Sequence, residues 1–375
     1  MDAAVKEMID RAFDEGSRGA YQPREVIIKM LELDPASEEV AYLKQKASEM
    51  AHLATKDRGT LFGAIGVDLC SCDMNCKFCS FGTEWGLVTE EKKYTKEEII
   101  ELAKAYVDAG VTTLTLRSTE FYDLATLTEW LEDIREAAPG DYCINLNVGE
   151  MTPAMAEAAY QAGATNAYHV MRIKEGIDTP FAPAVRERTI RAIADSPLRY
   201  GTCLEPIGIE HTNEELADAL LYDIHQRPYG MGVMFRVNVP GTPFEGYEDI
   251  PLDRKLQILA VVRLAVGTQV RSMGMHPACP ESLYAGGSSF TLELGANPRD
   301  TEFNDVEWCG FTADEAKKLL AEAGFRLEPV DVDPRFRDGA DTWWQKGDPA
   351  DYIMPDPSEG AGAGCCCGKS ASRAA

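Results

Sequence analysis

The residues best placed to do chemistry lie in one short segment, Cys72-Asp-Met-Asn-Cys76-Lys-Phe-Cys79. Three thiolates at this spacing can wrap one face of an iron–sulfur cubane and leave the fourth iron without a protein ligand. An iron left open can bind a further molecule, whereas a four-cysteine site is closed. No further cysteine follows nearby, and no second C-x2-C or histidine pair completes a zinc site. A structural zinc or a chance grouping is the plainer alternative. A second spacing overlaps the first, Cys70-x5-Cys76-x2-Cys79, and stays open; Cys72 is preferred because Cys70 falls within an apolar run.

Something must hold that loop, and the sequence shows what. Residues 1–57 carry apolar residues three and four apart and read as helices. From residue 61 short apolar runs alternate with amphipathic helix patterns: LFGAIGVDL, VTTLTLR, YCINLNV, AYHVMRI, RYGTCLEPIG, GVMFRVNVP, QVRSMGM and SFTLELG. Thr95 with Glu98, Thr212 with Glu215 and Thr312 with Glu315 fit the capping box, and Thr152 precedes a Pro at a first helical position. Gly110, Gly140 and Gly163 stand where helices should stop. Eight strand–helix units predict an α/β fold, a (β/α)8 TIM-type barrel; the last two runs are the least strand-like, and a partial barrel stays open. The expected organisation is an N-terminal helical extension (1–57), the barrel (58–330) and a C-terminal extension (331–375) ending in a disordered tail with Cys365-Cys366-Cys367. The cysteine loop follows the first strand, at the end of a barrel where active sites sit.

With Phe78 just before the last cysteine, this segment resembles the signature of the radical S-adenosylmethionine (SAM) superfamily. Over about 60–325 the chain is similar to its biotin synthase-like group, through AGATNAYHVMRI, VRERTIRAI, EPIGIEHTNEEL and NVPGTPFEGY. That group also holds hydrogenase maturase, methylornithine synthase and guanylylpyridinol-cofactor enzymes. The resemblance implies a 4Fe-4S cluster on Cys72, Cys76 and Cys79, SAM on its open iron, and Phe78 against the adenine. It implies a small-molecule substrate and a one-electron donor such as flavodoxin or ferredoxin.

Carried over residue by residue, the strand-two edge Arg117-Ser118-Thr119-Glu120 departs from the family's Gly-Gly-Glu, with Ser118 and Glu120 expected at the SAM amino group. Arg188 is expected at the SAM carboxylate, which an arginine fork suits. Asn145 and Asn147, two apart on strand three, face one side and read as ribose ligands or a turn cap; Arg172 ends strand four beside SAM or substrate. Glu205 with Cys203 and Arg236 with Asn238 share faces of strands five and six, as a substrate cradle or a structural network, and His276 near the end of strand seven is a ligand, a proton donor or a structural histidine. Inward Arg, Asn and Glu point to a polar, carboxylate-bearing substrate. An auxiliary iron–sulfur cluster on Cys143, Cys203, Cys279 and Cys309 stays open against buried, unreactive thiols; Thr115 and Gly201 stand at two positions where biotin synthase has ligands.

The formal charge of −25 over 375 residues excludes a nucleic-acid or anionic-membrane partner in this reading, since each needs a basic face. No run of about 18 apolar residues occurs and the N-terminus is acidic, so a cytoplasmic protein is expected. Three functions remain: hydrogen abstraction from a small polar substrate in cofactor or vitamin biosynthesis, sulfur insertion with a second cluster, and a non-catalytic iron–sulfur scaffold or metal carrier.

Overall fold

The computed structural model describes residues 1–304 and 310–327. The expected tail with Cys365–Cys367, and Cys309, lie outside the described residues. Eight parallel strands follow one another around a barrel: β1 (Arg58–Gly66), β2 (Thr113–Arg117), β3 (Cys143–Asn147), β4 (Asn166–Tyr168), β5 (Arg199–Ile207), β6 (Gly230–Phe235), β7 (Ser272–His276) and β8 (Ser289–Gly295). The last strand returns to the first, Thr60 opposite Ser289 through Gly66 opposite Gly295. The seam between β7 and β8 is closed by Ser288, whose backbone N–H donates to Met273 O at 2.8 Å and whose hydroxyl accepts from Met273 N at 3.2 Å.

Local signals set the helix starts. Thr95, Thr212 and Thr312 each form a complete capping box with Glu98, Glu215 and Glu315. They open α4 (Lys96–Asp108), α8 (Asn213–His225) and α10 (Ala313–Glu322). Between them α5 (Leu124–Ala137), α6 (Pro153–Gln161), α7 (Pro183–Ala194) and α9 (Leu252–Val266) complete the outer ring. Thr152 caps α6 ahead of its first-turn proline.

Three N-terminal helices, α1 (Ala3–Ser17), α2 (Arg24–Leu31) and α3 (Glu38–Thr55), pack over α9. A barrel helix normally shows one apolar stripe and one wet face; α9 is buried without a break from Leu256 to Val266 because Ile9, Ile27, Leu43 and Met50 cover its outer side. Gly267, at φ +53°, ends it against Gly16, where a Cβ would lie 2.4 Å from the Gly16 carbonyl oxygen. No helix among the described residues is long and apolar enough to cross a membrane.

One predicted run shortens. AYHVMRI becomes the three-residue β4, and from His169 the chain leaves the ladder, its backbone reaching β5 through His169 N to Gly201 O and Ile173 N to Glu205 O. The side chains of His169 and Arg172 are committed to a buried ionic cluster instead.

Candidate active site

The cysteine loop leaves β1 through Asp68, a buried carboxylate that accepts the Thr119 backbone N–H at 2.8 Å and the Thr119 hydroxyl. Cys72 N donates to Phe81 O at 2.7 Å and Cys79 N to Cys76 O at 2.9 Å, with Asn75 in the left-handed region at the bend. Lys77 N donates to Asp178 O, its Nζ pairs with Asp178 at 3.0 Å, and Ser80 N donates to Pro298 O at 2.7 Å. The loop is thereby pinned to the segments after β4 and β8.

Cys72, Cys76 and Cys79 line one cleft of about 110 Å³. Cys70 is not in its wall and sits among Asp68, Glu91 and Lys93. Burial pushes the Cys76 thiol up to about 11 and the Cys79 thiol up to about 12, so a metal must displace their protons to bind. Among the described residues no three His, Cys, Asp or Glu side chains converge closely enough for a single ion. The thiols are arrayed along a wall, an arrangement that fits a cubane, which spreads its ligands over several irons.

Facing the thiols are two guanidiniums, Arg186 buried and Arg172 half-buried. Arg186, 3% exposed, donates to Glu150 at 2.8 Å, lies 3.6 Å from both Glu120 and Glu175, and stacks 3.4 Å from the Phe181 ring centroid. Arg172 lies 3.6 Å from Glu205, whose other oxygen accepts the Tyr168 hydroxyl at 2.6 Å. Arg172 Nη1 and Arg186 Nε have no hydrogen-bond partner, their nearest carboxylate being Glu175 at 3.9 and 3.6 Å. These are donors left over for a ligand. Burial raises the Glu120 and Glu205 carboxyls against the pull of Arg186 and Arg172. Glu150, half-buried, is held at about 2 by His169, Thr189 and Arg186.

The cleft adjoins the barrel lumen, a cavity of about 330 Å³ that shares Cys76, Cys79, Ser118, Asn147 and Arg172 with it. Phe78, Asn145, Glu205, Arg236 and His276 line the lumen, and Glu120 lines the cleft. Asn145 donates to Thr115 Oγ1 at 3.2 Å, and His276 Nε2 lies 3.3 Å from Thr291 Oγ1. Arg236 is already occupied: it forks onto Glu210, donates to Asn238 at 2.9 Å and is flanked by the Phe244 and Tyr247 rings.

Arg188 requires a correction. It is exposed on the outer side of α7, and the buried arginine of that helix is Arg186. The two stand two residues and so about 200° apart; Arg186 shares the inward stripe with Ile190 and Ile193. Cys143 and Cys203 line the lumen, whereas Cys279 lies outside its wall with its thiol donating to Glu281. Sequence reasoning missed Arg186, Glu150, Glu175 and a second network in which Arg117, at 3.0 Å, and Arg299 both pair with buried Glu293. A signal for Glu293 was present, a lone charge inside the apolar run SFTLELG.

Comparison with known proteins agrees with this architecture. The radical SAM superfamily profile matches residues 69–222. Biotin synthase of Persephonella marina is 22% identical over 70% of this chain and 79% of its own. That of Streptomyces avermitilis is 25% identical over 69% and 68%. The crystal structure of methylornithine synthase superposes with a TM-score of 0.70 at 18% identity, over 84% of this chain and 97% of that one, a likeness of fold. With the signature loop, the barrel and these relatives together, the chain is similar to the radical SAM superfamily and to its biotin synthase-like group, a likeness to enzymes.

Proposed function

We propose that Cys72, Cys76 and Cys79 hold a 4Fe-4S cluster, that SAM occupies the cleft beside it, and that a small polar substrate in the lumen loses a hydrogen atom, in cytoplasmic cofactor or vitamin biosynthesis. The observation that carries this reading is the wall the two cavities share, with Cys76, Cys79 and Arg172 lining both. Likeness to the superfamily implies the cluster and SAM. When bound, they supply a 5′-deoxyadenosyl radical, fed by a one-electron donor of the flavodoxin or ferredoxin kind.

The charges of the cleft suit this ligand. Glu120, Glu150, Glu175 and Glu205 face Arg172 and Arg186, four carboxylates against two guanidiniums, an excess of two negative charges. Burial lowers the His169 imidazole from its ordinary value. SAM brings a sulfonium, an ammonium and one carboxylate, a net positive charge. The spare N–H groups of Arg172 and Arg186 can take the carboxylate, while Glu120 accepts from the ammonium. Asn147 and Ser118, on adjacent strand ends, orient what lies between cleft and lumen.

Anaerobic reconstitution tests the assignment. The expected result is about four irons per chain and reductive formation of 5′-deoxyadenosine, both lost in Cys76→Ala. Absence of SAM binding to the reconstituted protein would sink the proposal. About eight irons per chain, with a cluster surviving Cys76→Ala, would favour sulfur insertion with an auxiliary cluster, for which Cys143 and Cys203 in the lumen wall are the observation.

A further inference from the structure

Closed barrels usually fill their interior with layers of Val, Ile and Leu. This one does not. Its inward positions include Gly201, Gly230, Gly232 and Gly274, and hydroxyls or amides stand at Thr115, Asn145, Asn166, Ser272 and Thr291. The lumen is also divided. Every charged side chain in its wall comes from the C-terminal part of a strand or the loop beyond it: Arg117, Arg172, Glu205, Arg236, Glu293 and Arg299. The N-terminal half is neutral, with Thr60, Thr113, Cys143, Asn166, Tyr229 and Ser272 among its lining. Arg199, at the start of β5, is not part of this wall; its guanidinium lies against Cys143 Sγ and the Tyr229 ring.

Two features of the neutral half are unexplained by the fold. Gly201 and Gly230 have ordinary negative-φ backbone, and a Cβ on either would meet nothing closer than 3.8 Å. Glycine there is not demanded by the chain; it leaves room. Beside that room, Ser272 is 7% exposed and its Oγ has no hydrogen-bond partner, and neither has Asn166 Oδ1. Buried polar atoms without partners are rare and costly.

We infer that the N-terminal half of the lumen seats a neutral hydrogen-bonding end of the substrate, a hydroxyl or a carboxamide, held by Ser272 and Asn166, with Gly201 and Gly230 setting how much of it fits. A carboxylate does not suit this end, because it would enter a wall without a cation and would bring no donor for Asn166 Oδ1. This narrows the sequence expectation of a carboxylate-bearing substrate: a carboxylate, if present, belongs at the mouth. The inference rests on the radical reading only in naming the occupant a substrate.

The test uses three probes on one carbon skeleton, butyramide, butane-1,4-diol and butyrate. Their binding to the reconstituted holoenzyme with SAM is measured by ligand-observed saturation-transfer NMR, with SAM cleavage by the same preparation followed in parallel. Butyramide and the diol should bind at least about ten-fold tighter than butyrate, about one charged-group contact. Ser272→Ala should weaken the amide several-fold, and Gly230→Leu should abolish its binding with the far-ultraviolet circular dichroism unchanged. Should Gly230→Leu fail to fold, Gly201→Ala, which the wall admits, must still weaken both neutral probes. Butyrate binding as well as the amide, or Gly230→Leu binding undiminished, overturns the inference. So does an absence of binding by all three to an enzyme that cleaves SAM. Neutral-selective binding by a reconstituted protein that does not bind SAM upholds it and removes the radical reading instead.

Discussion

The two halves of the lumen solve the problem of a polar interior differently. At the mouth each charge in the wall has an opposite charge beside it: Arg236 with Glu210, Arg117 and Arg299 with Glu293, Arg172 with Glu205. Deeper in, the wall is polar but uncharged, and its unpartnered atoms are a hydroxyl and an amide oxygen. A buried charge without a partner costs several kcal/mol, an unpartnered hydroxyl about 1–3. Thus the mouth must be assembled in advance, whereas the floor can wait for its ligand. The difference teaches that the mouth is built for permanent electrostatics and the floor for exchange.

The comparison breaks first at Arg186. Arg186→Met leaves Glu120, Glu150 and Glu175 without their shared guanidinium, and removal of one partner from a buried ionic cluster costs about 3–5 kcal/mol. Urea denaturation of the purified protein should show a loss of that size. An unchanged midpoint would mean that water reaches these carboxylates and that the mouth is no more prepared than the floor.

Glu293 gives a smaller effect with a pH signature. Burial pushes its carboxyl up, but Arg117 and Arg299 outweigh burial and hold it at about 2. A folded value below the ordinary one stabilises the protein above about pH 4.5, and that stabilisation is lost as pH falls from there toward about 2. The amount at stake is about 3 kcal/mol, to order of magnitude. Glu293→Gln should therefore be less stable at neutral pH and lose less on acidification, read as urea midpoints between about pH 6 and about pH 3. Thr115→Val, in the uncharged wall beside Asn145, should instead cost about 1 kcal/mol with no change of slope. Parallel slopes for wild type and Glu293→Gln would remove the electrostatic distinction between the halves.

Much of this was legible in the sequence because it is written locally. All eight apolar runs contain strands, and the three Thr–Glu capping boxes mark three helix starts, since each depends on neighbours a few residues away. The cysteine loop was legible for the same reason. Glu150 and Glu175 were not, because a carboxylate in a loop has no sequence mark distinguishing a solvated face from a buried ionic cluster. Their burial is decided by Arg186, 36 and 11 residues further on. Strand four was overextended because an apolar run cannot reveal that His169 and Arg172 are needed elsewhere. In the sequence Gly201 stands out only as a position where biotin synthase has a ligand and Gly230 not at all, and only the barrel shows that they adjoin the same void.

The smallest effect separates Arg186 from Arg188. The resemblance favoured Arg188, while the helix stripe through Ile190 and Ile193 favours Arg186, and a helix can bury only one of two residues set about 200° apart. Arg188 is exposed, and among the described residues its side chain makes no ion pair or hydrogen bond. Arg188→Ala should therefore change stability by no more than about 0.5 kcal/mol, and SAM affinity should stay at the wild-type level by equilibrium dialysis of the reconstituted protein. A loss of SAM binding in Arg188→Ala, with Arg186→Met binding normally, would return the carboxylate contact to Arg188. It would also mean that α7 turns about its axis when the cleft fills, carrying the outer arginine into the mouth.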